Sequence, residues 1–583
     1  MTMISLLSPI PALPKPFGPH KVGTSEWEIP VSEIPSPSPI PDEELTTIKF
    51  RLFYPTTPNA KSKNSVSWLP SPQREWNQAY ASFLGASSRV SSFISLLPSL
   101  LNMTNLPCVA DAPLLPRKAP SSYPLVIFSH GLGGNFNAYS AICTALASFG
   151  VVVAAPEHRD QSAPTSIIRS ADGRKSKTIP YQKHPHAPTA EVLNARNAQL
   201  RIRCWELEQL FTVLTSLNEG RTFSNYAVAG TKIESGPPLE NVLDLRPGHV
   251  TWAGHSFGAC TSIQLVKSVY YHQHLPSWKN TEFEHDPDWR PLYTAVPNSD
   301  LVRQITPDSP MILLDLWAMP LRGELTKWLW ERPLPCYERK LEEDKPAPST
   351  IVIAIVSSEF YKWPGLLNRM KAALSASPAD ALQALEKRTA KDSSESDTED
   401  EQEEASTEDT LDITGEAREA TVEDGPALQV GAEGAASSAH SSRTPSPSLS
   451  TSTSESTSSN GTIDSVSTSA SASSPTAQNP TSQPKDTTKS TPTTSMPSPL
   501  SPHLYHIPST AHLSQSDFGV LFPKLIRYLM KAENPVETIR LNVRAMVAMM
   551  RGVGLDVEKY EGEGDRILTE AHGEERWVRV DLL

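Results

Sequence analysis

Across 583 residues there are only five cysteines, at positions 108, 143, 204, 260 and 336. They are odd in number and scattered, with no Cys-x-x-Cys or Cys/His spacing, which excludes a zinc ribbon and a disulfide framework. Such usage suits a reducing compartment, with the thiols serving as core fillers. Aromatic residues make up 7% of the chain, and none lies between Ser375 and Ser501. No uncharged apolar run approaches the ~20 residues that a membrane-spanning helix needs. A secretory signal is not expected either: Met1 to Leu7 is only mildly apolar, Pro9, Pro11 and Pro14 follow, and the first basic residue is Lys15.

Basic residues are also in short supply. Lys and Arg total 52 against 65 Asp and Glu, a formal net charge of -13. The excess is local, because Lys391 to Asp424 alone carries roughly 15 acidic and 2 basic residues. The remainder is near neutral and offers no broad basic field, so nucleic acid is not an expected partner. What the chain has in abundance is proline, 54 residues, together with a Ser/Thr/Pro/Ala/Glu-rich block that cannot bury enough apolar surface to offset chain entropy. This composition predicts a Pro-rich, irregular segment over 1–45, a folded core over 46–373, a disordered acidic and Ser/Thr/Pro-rich insertion over 374–500, a second part of the core over 501–550, and a C-terminal tail over 551–583.

The core reads as alternating strands and helices. Thr47 to Pro55 largely alternates apolar and polar and predicts a strand of an antiparallel edge. Pro124 to Ser129, Val151 to Ala155, Met311 to Asp315 and Thr350 to Val356 are continuous apolar runs of the kind buried on both faces of a parallel sheet. Helices are expected over about 139–149, 190–218 and 519–532, and a short last strand over His503 to Pro508. The pattern predicts an α/β fold with a mostly parallel central sheet flanked by helices. Phe83 to Leu101 carries nine large apolar residues and one charge, Arg89. Two readings of it stay open: a helix packed on the body, or an interfacial helix touching a lipid surface.

Gly254-His255-Ser256-Phe257-Gly258 carries the chemistry. It is a G-x-S-x-G pentapeptide between an apolar strand and a helix-like run, the context of a nucleophile elbow. The tight turn leaves little room for a Cβ on either side, lifts Ser256 Oγ out of the sheet and places the next amide at a helix N-terminus. A serine needs a base, and the base an orienting acid; in elbow hydrolases they follow in the order Ser, Asp or Glu, His. Asp315 ends an apolar strand on the edge where ligands gather. Glu359, after the next strand, is the second choice, and Asp308 lies at the far edge. His512 sits in a loop after the last strand and is the expected base. His503 and His506 are committed to the strand, and His572 lies in a polar tail. The oxyanion donors are expected to be the backbone N–H groups of Phe257 and, from the Gly131 to Gly134 turn, Leu132. Glu157-His158-Arg159-Asp160 is expected to be structural, with Arg159 and Asp160 as an ion pair supporting the oxyanion loop.

These segments resemble a known family. Phe128-Ser129-His130-Gly131-Leu132-Gly133, Tyr139-Ser140-Ala141-Ile142 and Ala154 to Ala163 are similar to the platelet-activating factor acetylhydrolases of the plasma and type II intracellular kind. So are Gly18 to Gly23, Leu52 to Pro55, the elbow, Leu314 to Leu321 and Thr510 to Phe518. Together they cover about residues 15–373 and 501–550. The resemblance implies an α/β-hydrolase, free of metal and cofactor, that cleaves the sn-2 ester of phospholipids bearing short or oxidised acyl chains. It implies Ser256 as nucleophile, Asp315 as orienting acid, His512 as base and the Leu132 and Phe257 amides as oxyanion donors. It also favours peripheral lipid contact through 83–101, while the cysteine usage and the lack of a signal or long apolar run point to a cytoplasmic protein with no transmembrane segment. Two rivals are a general carboxylesterase or lipase acting on small or neutral esters, and a non-catalytic scaffold that docks partners through the insertion. The chain departs from the family pattern at Ala259, where a second glycine is common, and in the length of the insertion.

Overall fold

The computed structural model describes residues 11–36, 38–96, 99–117, 120–170, 175–185, 188–227, 237–275, 292–340, 350–395, 500–560, 564–569 and 576–582. Thirteen strands are present among them: β1 (Lys21–Pro30), β2 (Thr47–Thr56), β3 (Val109–Ala110), β4 (Tyr123–Ser129), β5 (Val152–Glu157), β6 (Thr165–Arg169), β7 (Ser176–Pro180), β8 (Leu243–Asp244), β9 (Thr251–His255), β10 (Met311–Leu314), β11 (Val352–Ser357), β12 (His503–Ile507) and β13 (Val578–Val580). Eleven form one sheet in the order β13-β12-β11-β10-β9-β4-β5-β2-β1-β3, with β8 beside the start of β4; β6 and β7 form a separate hairpin. From β5 to β12 all neighbours run parallel. The fold is an α/β-hydrolase.

The apolar runs explain this arrangement. In β4, Leu125 and Ile127 belong to the core on one face of the sheet, whereas Val126 and Phe128 belong to the core on the other. A strand buried on both faces has no need of polar alternation. One face is covered by the helices Ala190–Asn218 and Phe257–Tyr270, the other by Ser140–Ser148 and Pro535–Gly552.

Several expectations need correction. Thr47–Thr56 is antiparallel but not an edge: it pairs with β1 on one side and β5 on the other. Within the segment read as irregular, Lys21–Pro30 forms a ten-residue strand of the main sheet. Residues Pro378–Glu395, read as the start of the disordered insertion, are helical; 396–499 lie outside the described residues. The helix expected over 519–532 is two, Asp517–Leu521 and Pro523–Met530. Pro523 has no amide hydrogen to continue the first and is suited to the first turn of the second. The C-terminal segment adds β13, antiparallel to β12.

Besides the pairing of β12 with β11, a buried carboxylate ties the chain beyond 500 to the first part. Asp517 accepts hydrogen bonds from Trp68 Nε1 (2.9 Å) and from the amides of Ser140 (3.1 Å) and Ala141 (2.9 Å). Those two amides are the free donors at the start of the helix Ser140–Ser148, so Asp517 caps it from nearly 400 residues away in sequence.

Candidate active site

Ser256 sits between β9 and the helix Phe257–Tyr270 with φ +55° and ψ -118°. The residues two before and two after it have to be glycine. A Cβ at Gly254 would lie 2.3 Å from the carbonyl carbon of Gly258, and one at Gly258 would lie 2.0 Å from Ser129 O. The elbow therefore packs backbone against backbone, and the adjacent Ala259 is fully buried in the same helix.

Asp315 follows β10, also at positive φ (+39°), and is fully buried. One carboxylate oxygen accepts the Ser357 amide (2.7 Å); the other meets His512 Nδ1 (2.9 Å). His512 opens the short turn after β12. Its backbone N–H donates to Glu359 Oε2 (2.8 Å), and its ring stacks against Phe360. The two candidate acids are thus used together: Asp315 holds the imidazole, while Glu359 holds the main chain that carries it. Burial pushes the Glu359 carboxyl up, partly opposed by the His512 amide.

The structure does not join all three members. His512 Nε2 has no hydrogen-bond partner, so its bond to Ser256 Oγ is not made here. Catalytic hydrogen bonds of this type are often long in unliganded enzymes. The other histidines have different tasks. His503 Nδ1 meets Tyr505 Oη (3.1 Å) and His506 Nε2 meets Ser358 Oγ (3.0 Å). His572 lies outside the described residues, and Asp308 is exposed and bonded to Arg339.

The two amides expected to hold an oxyanion lie at the start of the helix after Ser256 and in the loop after β4. The Phe257 N–H is the first of its helix, where donors have no intrahelical acceptor. In the loop after β4, Gly131 N–H donates to Tyr139 Oη (3.1 Å) and Gly133 N–H to Ser162 O (2.8 Å). His130 Nδ1 meets Gly131 O (2.8 Å). Because a trans peptide points its C=O and N–H in opposite directions, anchoring Gly131 O aims the Leu132 N–H the other way.

The ion pair expected between Arg159 and Asp160 is absent. Asp160 bonds instead to Arg203 Nε (2.6 Å), and Arg203 also donates to His130 O (2.7 Å) and Ser162 Oγ (2.6 Å). Arg159 lies near Glu206 (3.8 Å) and Glu28 (3.9 Å). Arg159 and Asp160 lie in the loop after β5, and each finds its partner elsewhere; Arg203 and Glu206 come from the long helix 190–218. Sequence reading overlooked them because a buried charge in a 29-residue helix looks like an ordinary polar face.

Glu157 lies behind the same loop and accepts the Phe136 amide (3.1 Å), while its other oxygen has no partner. Burial pushes this carboxyl up to about 8. The folded protein therefore holds a proton that the unfolded chain, with an ordinary carboxyl, gives up above about pH 4.5. Bound protons then favour folding at low pH, and this contribution is lost as pH rises to about 8. In thermal melts between pH 5 and 8, Glu157→Gln is expected to lose less stability with rising pH than the parent. Parallel curves would show that Glu157 ionises normally.

His255, Asp315 and His512 place donor atoms within 4.8 Å of one another, the one such cluster of metal-ligand type among the described residues. Asp315 Oδ2 is already engaged by His512 Nδ1 within it. The cluster therefore suits proton handling better than metal binding.

Residues 7–281 match the family model of platelet-activating factor acetylhydrolase, isoform II. Residues 7–281, which include the elbow and the loop after β4, therefore resemble that family in sequence. Among curated proteins, the platelet-activating factor acetylhydrolase of Cavia porcellus is 36% identical over 220 residues, 37% of this chain and 46% of the relative. That of Bos taurus is 32% identical over the same shares. The chain thus aligns with about half the length of the relatives it matches. Among solved structures, a ferulic acid esterase from Streptomyces cinnamoneus aligns at 20% identity and a TM-score of 0.27, covering 44% of this chain and 58% of its own.

Proposed function

We propose that the protein is a serine esterase hydrolysing the sn-2 ester of platelet-activating factor-like phospholipids with short or oxidised acyl chains. The observation that carries the reading is the 2.9 Å bond between Asp315 and His512, next to a serine held at positive φ in an elbow of this family. In the mechanism, Asp315 fixes the Nδ1–H tautomer of His512, leaving Nε2 free to take the Ser256 proton. Ser256 Oγ attacks the sn-2 carbonyl, and the Leu132 and Phe257 amides hold the oxyanion. The imidazolium returns its proton to the leaving glycerol oxygen. The same histidine then activates water to release the short acid.

Substrate is presented at a lipid surface, to which the protein docks peripherally from the cytoplasm. In support, Leu84, Val90, Leu100 and Met103 of the 83–103 region are exposed, and so are Leu525, Tyr528 and Leu529 of the helix Pro523–Met530. The helices that precede the two segments touch: Tyr80 of Gln73–Phe83 packs edge-on against Phe518 of Asp517–Leu521 (5.7 Å). Phe83 lies against the oxyanion loop at Gly133. No described helix is long and apolar enough to cross a membrane, and the five cysteines are free thiols, which suits a reducing compartment.

A panel of sn-2 acetyl, oxidised-acyl and long-chain phosphatidylcholines, with p-nitrophenyl acetate alongside, tests the substrate class. Turnover should be high for the first two and low for the third; turnover of the nitrophenyl ester alone would favour the general carboxylesterase reading. Burying a tyrosine or leucine side chain contributes about 1.5–3 kcal/mol. Leu525→Glu with Tyr528→Glu should therefore lower hydrolysis of vesicle-borne substrate by about tenfold or more. Turnover of the soluble ester should stay the same; an equal loss on both substrates would mean damage to the site rather than to docking.

A further inference from the structure

Tyr139 is not needed by the mechanism above, yet its hydroxyl sits at a junction of the site. It accepts the Gly131 N–H (3.1 Å) and lies 2.8 Å from His255 Nδ1. Gly131 immediately precedes Leu132, and His255 immediately precedes Ser256. We propose that Tyr139 is a positioning residue whose single oxygen clamps the oxyanion loop to the nucleophile strand, setting the distance between the Leu132 amide and Ser256 Oγ. This inference rests on the esterase reading of the site.

The proton arrangement follows from the contacts. A phenol oxygen that accepts from a backbone amide has its own proton to donate, and His255 Nδ1 is the acceptor within reach. His255 Nδ1 is then unprotonated and its proton is on Nε2. That nitrogen faces Asp315 Oδ2 at 3.9 Å and has no hydrogen-bond partner of its own. The His255 ring also lies against His512, with centroids 4.3 Å apart. Burial, together with the neighbouring His512, pulls the His255 pKa well down and keeps the ring neutral. The clamp therefore ends on the His255 imidazole, beside the carboxylate that orients the base. The oxyanion loop and the nucleophile strand are connected through one run of hydrogen bonds: Gly131 N–H, Tyr139 O–H, His255 Nδ1. The tyrosine ring itself is buried and packs on Phe128 (5.2 Å), so loss of the oxygen alone leaves its apolar contacts intact.

The test uses the full chain, with active sites counted by a fluorophosphonate. Tyr139→Phe should lower kcat per labelled site about 10- to 100-fold, as a small misplacement of reacting groups does. KM should change by less than about two-fold, and affinity for a trifluoromethyl ketone that mimics the oxyanion should fall in step with kcat. His255→Leu should behave like Tyr139→Phe. His255→Asn presents a side-chain oxygen where Nδ1 was and should keep kcat within about five-fold of the parent. A purely structural tyrosine would lower melting temperature or the labelled fraction and leave kcat per labelled site alone. That result, or equal kcat in the His255→Leu and His255→Asn variants, would overturn the clamp. The second pair decides the matter even if Tyr139→Phe does not fold. Absence of labelling and turnover in the parent would instead remove the esterase reading, which keeps the two failures distinct.

Discussion

Ser256→Ala is expected to fold normally, to take no fluorophosphonate label, and to hydrolyse sn-2 acetyl phospholipid about 10⁴- to 10⁶-fold more slowly than the parent. The size follows from what remains. The oxyanion amides and the substrate contacts survive, but without a hydroxyl there is no acyl-enzyme, and water has to attack unaided by a covalent step. The fold should tolerate the change because alanine keeps the Cβ that the turn already accommodates and removes one oxygen. Equal labelling of parent and variant would show that another residue is the nucleophile. Retained hydrolysis without labelling would point to direct attack by water and would defeat the mechanism.

Asp315→Asn should cost about 10⁴-fold in kcat with little change in KM. The carboxylate accepts two donors, the Ser357 amide at 2.7 Å and His512 Nδ1 at 2.9 Å. An asparagine offers one oxygen and one NH2. If its oxygen keeps Ser357, the NH2 faces the imidazole and accepts nothing, so His512 turns to the tautomer protonated on Nε2. That tautomer cannot take the Ser256 proton. Glu359→Gln is the control, since a glutamine oxygen can still accept the His512 main-chain amide. It should retain activity to within about tenfold. The reverse ranking, with Glu359→Gln the more damaging, would make Glu359 the acid and Asp315 a support.

The parallel centre of the fold was legible because its strands are runs of Val, Ile and Leu that cannot be mistaken for surface. β1 was not, because its own polar residues resemble a loop: Thr24, Ser25 and Glu28 are all buried. Glu28 is buried by pairing with Arg169 (2.7 Å) and Thr47 (3.0 Å), partners that no local pattern reveals. The site divides in the same way. Ser256 could be located by the glycines around it, and Asp315 and His512 by their places after strands. Which of two strand-end acids meets the imidazole depends on the turn after β10, where Asp315 takes a positive φ that its sequence does not announce. The Arg203 support and the Tyr139 hydroxyl escaped notice for a related reason. Both act on main-chain groups of another segment, and such a contact leaves no spacing to read.

The order in which the parts of the site occur has a consequence for synthesis. The imidazole and the carboxylate that orients it are 197 residues apart in sequence, and β12, which carries the imidazole loop, adds to the flank of a run of strands that all precede it. A nascent chain can thus assemble the elbow and the oxyanion loop while the ribosome is still translating the long intervening stretch. Until His512 and Asp517 emerge, that intermediate holds a serine with no base and a helix with no cap. On the esterase reading, the polypeptide stays inert until both have been translated.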